Sequence, residues 1–369
     1  MSLRFRQHWI ADESYESCGV FDVNNDGIPD IISGAFWYEG PDYRTKHHIG
    51  AVMPSGEYYD DFATIPLDVN GDGYLDFITG GWFGGTLQWR ENPGAQGGQW
   101  QLHDIAKTGN IETIRAWDID GDGVIEIIPN VPPAANVEVF KLNTDADGRG
   151  AGTFRRIPIF EPGNDWRQGH GLGSGDIAGN GRMDVVLCNG WLECPADPWQ
   201  NAWEWHPEFQ LGSASIPMLV VDVNGDGLND LIAGHGHGYG LWWYEQRRDG
   251  DQRTWIRHPI DPFNAQYHDM AWVDIDNDGQ CELVTGKRHR AHCGNDPGEW
   301  DDYGIYYFKW NGESFSKQVI TYGPLGRTKG VGIAFALADL SGNGLLDIVA
   351  PGKDGLSIFF NEGAAQNGQ

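Results

Sequence analysis

Long hydrophobic runs are missing from this 369-residue chain, and no stretch approaches the roughly 20 apolar residues of a membrane-crossing helix. No membrane insertion is expected. The fingerprints of two large enzyme classes are missing too. There is no G-x-S-x-G elbow to present a nucleophilic serine, and no P-loop or dinucleotide motif. The glycines of Gly234-His-Gly-His-Gly238 are followed by no helix signal.

Cysteine is scarce. Cys18, Cys188, Cys194, Cys281 and Cys293 are odd in number and lack zinc-ribbon spacing, which argues against a disulfide framework. Cys188 and Cys281 fall in strand-like runs and read as small buried hydrophobes. Positive charge is also scarce, with 25 Lys and Arg against 53 Asp and Glu and a net charge of −28. That balance argues against a nucleic-acid partner, and none is expected. The opening Met1-Ser2-Leu3-Arg4-Phe5 has no apolar signal core, which favours a cytoplasmic protein unless a leader has been removed.

Glycine and aromatic residues are abundant: 53 Gly and 17 Trp in a chain that is 12% aromatic. Such a composition suits many turns and packed sheets rather than long helices. A repeat explains both. The pattern D-x-[N/D]-x-D-G-x-x-[D/E] occurs at Asp22, Asn24, Asp26, Asp30; at Asp68, Asn70, Asp72, Asp76; at Asp118, Asp120, Asp122, Glu126; at Asp222, Asn224, Asp226, Asp230; and at Asp274, Asp276, Asp278, Glu282. Two weaker copies use Asp176, Asn180, Asp184 and Asp339, Asn343, Asp347. The seven loops hold 21 of the 53 acidic residues, so the acidity is largely local.

Each loop lies between two apolar runs, such as 218–221 and 231–234, and is followed by an aromatic strand such as 241–244. A fourth strand ends most units, as in 255–260. These are β-type runs divided by Gly, Asn and Asp. Four strands about every 50 residues predict an all-β fold, a seven-bladed β-propeller with four-stranded blades. Residues 3–10 match a fourth strand with no unit before them, while 332–360 supplies only three strands. The N-terminal strand is therefore expected to complete the C-terminal blade, making one domain over 1–369 with a flexible tail at 361–369.

Oxygens at loop positions one, three and five surround one point, glycine at six allows the sharp turn, and a carboxylate at nine closes the cage. That chemistry suits several structural Ca2+ ions. The EF-hand alternative fails because the flanks are strands. Some loops could instead act as hydrogen-bonded turns, above all those at Asp176 and Asp339. In these features the chain resembles FG-GAP and VCBS repeat propellers, whose resemblance implies calcium in the first turn of each blade.

The opposite face gathers the irregular loops 50–60, 189–203, 287–303 and 322–331, and variable loops on a rigid scaffold are where function concentrates. His8, His47, His103 and His258 share one register of the fourth strand and read as scaffold. His170, His235, His237, His268, His289 and His292 break the repeat and are expected on that face, with Glu112, Asp60, Asp61, Lys287 and Lys329. Imidazoles with carboxylates suit zinc or another transition metal. A hydrated polar channel mouth without an ion is the alternative.

Segments 190–198, 233–245 and 286–298 resemble the propeller of the aldos-2-ulose dehydratase family. That resemblance implies a metal-dependent lyase removing water from a small keto-sugar. It covers the propeller only, since the family's additional cupin-type domains have no counterpart in this sequence. On this reading His170, His235 and His268 hold the metal, and Glu112, His237 and His289 move protons. Lys287 or Tyr239 orients the sugar, with His292 and Lys329 nearby; Trp82 and Trp191 either stack on it or pack between blades. The rivals are a calcium-stabilised sugar- or protein-binding propeller and a metal-dependent glycoside hydrolase.

Overall fold

The computed structural model describes residues 2–132, 134–161, 163, 166–200, 202–250 and 252–364. Apolar runs of four or five residues between turn signals become the second strand of each unit and are buried on both faces, as in Asp30–Ser33 and Glu126–Asn130. The repeat at 218–265 illustrates a unit. Met218–Val221, Asp230–Gly234, Tyr239–Asp249 and Gln252–Ala265 form an antiparallel meander. Among the described residues there is no α-helix, only a 3-10 turn at Gly94–Gln96.

Among the described residues five four-stranded sheets stand separately, a two-stranded ribbon pairs Pro54–Ser55 with Tyr58–Tyr59, and one eight-stranded sheet consists of two four-stranded units side by side. The join is parallel pairing of two first strands, Leu172–Gly175 and Met218–Val221, through Gly173 opposite Met218. First strands therefore face the centre of a β-propeller. Leu3–Ala11 pairs antiparallel with Leu356–Ala364, placing Gln7 opposite Phe359, so the two ends of the chain share one sheet. That last strand runs to Ala364, so the expected tail starts as strand, and 365–369 lie outside the described residues.

The core lies between neighbouring sheets. Ile128 and Val139 of one unit pack with Leu172, Val185 and Leu192 of the next. Each such side chain contributes about 1.5–3 kcal/mol by leaving water. Four fourth-strand imidazoles join this packing by stacking on a third-strand indole: His47 on Trp37, His103 on Trp89, His206 on Trp191 and His258 on Trp243. His206 was not among the expected scaffold histidines. His8 faces Ile358 and has no indole. Cys188 is buried, but Cys281 is exposed because it precedes the strand Glu282–Lys287.

At position nine of the acidic loops the carboxylate ties the turn to neighbouring backbone. In five of them this residue is a fully buried aspartate whose two oxygens accept main-chain N–H bonds. Asp30 takes Val23 N at 2.9 Å and Gly40 N at 2.8 Å. Asp76 and Asp230 repeat the arrangement, as do Asp184 and Asp347. The short side chain latches the turn to the third strand, satisfying N–H groups that burial would otherwise leave unpaired.

Candidate metal centre

Glu112 and His268 sit at the mouths of their first strands, at the same register before the loop. His170 sits at the third such position, and His237 comes from the turn after Asp230–Gly234. One ligand atom from each of these four residues lies within 4.8 Å of the others. Glu112 Oε1 is 3.2 Å from His170 Nε2, 3.7 Å from His268 Nε2 and 4.0 Å from His237 Nε2.

Two of the rings are fixed from behind. His170 Nδ1 donates to Ala214 O at 2.6 Å, and His237 Nδ1 donates to Asp296 Oδ2 at 2.8 Å. Each Nε2 is thereby left facing the shared point. Neither buried nitrogen of His268 makes a hydrogen bond, and Nε2 has Glu112 3.7 Å away. Burial first, then the charge of Arg288, pushes His268 down to about 3. Burial and the neighbouring His170 likewise lower His237. Burial alone would raise Glu112, but the imidazoles of His170 and His268 outweigh it and hold the carboxylate well below its usual range.

Three imidazoles and a carboxylate converging on one point, one imidazole making no hydrogen bond, suit a transition-metal donor set. Gly236 makes the fit possible: a Cβ there would lie 3.0 Å from His170 Cε1 and 3.5 Å from His268 Cδ2.

The group opens into a cleft of about 250 Å3 lined by Glu112, Tyr58, Phe62, Trp82, Phe83, Arg288, Ala291 and His292. Asp60 holds the aromatic side by accepting the N–H groups of Phe83 and Gly84, both at 2.8 Å. Asp61 is buried away from the cleft against Thr79 Oγ1 at 2.8 Å. His292 stacks on His237 at 4.0 Å, and its Nδ1 donates to Asp296 Oδ1 at 2.9 Å. Asp296 thus orients both rings. Arg288 is fully buried and paired with Glu16 at 2.9 Å.

Several expected roles change. His235 lies outside the group, its backbone tied to Gly240 and its Nδ1 buried without a partner. His237 takes its place. Glu112 and His237, expected to move protons, converge with His170 and His268 instead. His289 faces Tyr303 and lies 3.9 Å from Asp354, away from the cleft. Lys287 is buried under Asp301 O at 2.7 Å and Gly298 O and Glu299 O, so it anchors the insertion. Tyr239 is bound to Asp301 at 2.7 Å on the exterior, and Lys329 is buried against Asp354. Trp191 is fully buried packing, whereas Trp82 lines the cleft. Tyr58, Phe83, Arg288 and Asp296 were missed. For Asp296 the signal was an acid four residues after His292.

The sheets, with first strands innermost and the two chain ends sharing one sheet, define a β-propeller. Residues 68–128 and 222–285 match the FG-GAP-like repeat family. No curated protein matches the chain. Among solved structures it is similar to the V. cholerae biofilm matrix protein Bap1, at 13% identity and a TM-score of 0.38. The match covers 91% of this chain and 45% of that one, so the chain spans less than half of that protein's length.

Proposed function

We propose that the protein is a metal-dependent carbohydrate lyase acting on a small keto-sugar, akin to the aldos-2-ulose dehydratase propeller. The observation carrying this reading is the meeting of Glu112, His170, His237 and His268 at the end of an aromatic, arginine-bearing cleft. Zinc or a similar ion held there would supply a Lewis acid for the charge that develops on a substrate carbonyl oxygen.

The remaining steps fall to this chain's own residues. Trp82 and Phe83 offer apolar faces to the sugar ring. Arg288, held by Glu16, presents a fixed cation to its oxygens. His292, oriented by Asp296, takes the proton from the carbon next to the carbonyl on Nε2. The carbon–oxygen bond one carbon further breaks, and the imidazolium returns that proton to the departing hydroxyl, which leaves as water. In the same reading the loops at Asp22, Asp68 and Asp222 hold structural Ca2+.

The test is a screen of keto-sugars followed by ultraviolet absorbance. Elimination gives an absorbing enone, abolished in His292→Ala. A product set containing only hydrolysed glycosides would support the hydrolase, and saturable sugar binding without conversion would support a binding module.

A further inference from the structure

Six of the seven units place a charged residue on the third strand beside loop position nine. In four units it is a glutamate: Glu39, Glu91, Glu193 or Glu245. In the other two it is a lysine, Lys141 or Lys309. The seventh unit has Phe360.

The lysines travel with two further changes in their own loops. Position three is an aspartate only there, Asp120 and Asp276, where other units have Asn24, Asn70, Asn224, Ala178 or Ser341. Position nine is a glutamate only there, Glu126 and Glu282. One extra methylene lets Glu126 keep Oε2 on Ile119 N at 2.8 Å while Oε1 reaches Lys141 Nζ at 2.5 Å.

Lys141 Nζ also lies 2.9 Å from Asp120 Oδ2 and 2.8 Å from Asp122 Oδ2. Lys309 Nζ repeats the set with Asp276, Asp278 at 2.8 Å and Glu282 at 3.3 Å. The ammonium therefore contacts oxygens at positions three, five and nine. Among the described residues, only these two first-turn loops gather three acidic oxygens within 4.8 Å of one another. An ammonium has three donors and carries a compact charge, matching three converging carboxylates. Burial works against the charge on both lysines, and the carboxylates outweigh it.

We propose that Lys141 and Lys309 are tethered cations that replace a free divalent ion in the loops at Asp118 and Asp274. Those two turns close without metal. The loops at Asp22, Asp68 and Asp222 have no lysine at that position, and their need for calcium rests on the preceding functional reading. The chain thus contains metal-dependent and metal-independent turns, sorted by one third-strand residue.

The experiment counts calcium bound per chain in the full protein and in Lys141→Met and Lys309→Met, by equilibrium dialysis and calorimetric titration. Each single variant should gain one equivalent and the double variant two. Terbium adds a local readout, because Trp199 Nε1 lies 2.5 Å from Asp120 Oδ2 and sensitises an ion in that loop. Luminescence excited through Trp199 should rise in Lys141→Met. A second arm leaves the lysines in place: Asp118→Asn with Asp274→Asn should not change the calcium count of the parent. Unchanged counts in the lysine variants, or a lost equivalent in the asparagine variant, overturn the proposal. A parent that binds no calcium would defeat the calcium reading of the other three loops, while the gain in the lysine variants would still decide this one.

Discussion

His237 Nδ1 donates to Asp296 Oδ2 at 2.8 Å, so a residue of the sixth-unit insertion orients a ring that belongs to the fifth unit. The carboxylate behind a metal-ligating imidazole sets its tautomer and basicity, and losing it typically costs about ten- to hundredfold in metal affinity. Asp296→Ala should show that loss in a competition titration with a chromophoric chelator. Unchanged affinity would mean that His237 is not a ligand.

Gly236→Ala tests the packing of the converging imidazole rings. The new methyl would meet His170 Cε1 at 3.0 Å, closer than ordinary contact. Overpacking of this kind costs about 1–3 kcal/mol. A lowered melting temperature with weakened metal binding is expected. Full metal binding would show that the His170 ring has room to move.

Two tryptophans separate packing from recognition. Trp191→Ala removes a fully buried ring stacked on His206 and should destabilise the fold by about 3–5 kcal/mol. Trp82→Ala, at the cleft, should raise KM for the sugar with little change in melting temperature. Equal melting losses in both variants would contradict this division.

Asp61 gives stability a pH dependence of known sign. Burial raises its carboxyl to about 6, against the opposing effects of the Thr79 hydrogen bond and the Arg90 charge. A folded-state value above the unfolded one means the protonated form is favoured by folding. Its contribution is therefore complete below about pH 4 and lost as pH rises through about 6. Asp61→Asn should flatten the fall in melting temperature between pH 4 and 7. An unchanged slope would assign it to other groups.

Much of the fold was legible because the repeat states it directly. The loop aspartates mark the turns, and the runs around them are the strands. The mouth positions of Glu112, His170 and His268 were legible for the same reason, each lying six residues before a loop. His235 and His237 were not separable, because strand alternation ends at Gly234 and the turn beyond it decides which imidazole faces the centre. Trp191 was left between sugar stacking and blade packing despite a signal: tryptophan two residues before glutamate recurs at Trp37, Trp89 and Trp243, which marks packing. Arg288 and Tyr58 come from different insertions, and only the folded ring brings them to one cleft.

Elemental analysis of the purified chain, after mild chelation to strip calcium, tests the metal centre most directly. One equivalent of zinc or another transition metal should remain in the parent and disappear in His268→Ala, with the strand spectrum of the propeller unchanged. A parent that takes up no transition metal when offered it, or a His268→Ala variant that retains a full equivalent, would contradict the account.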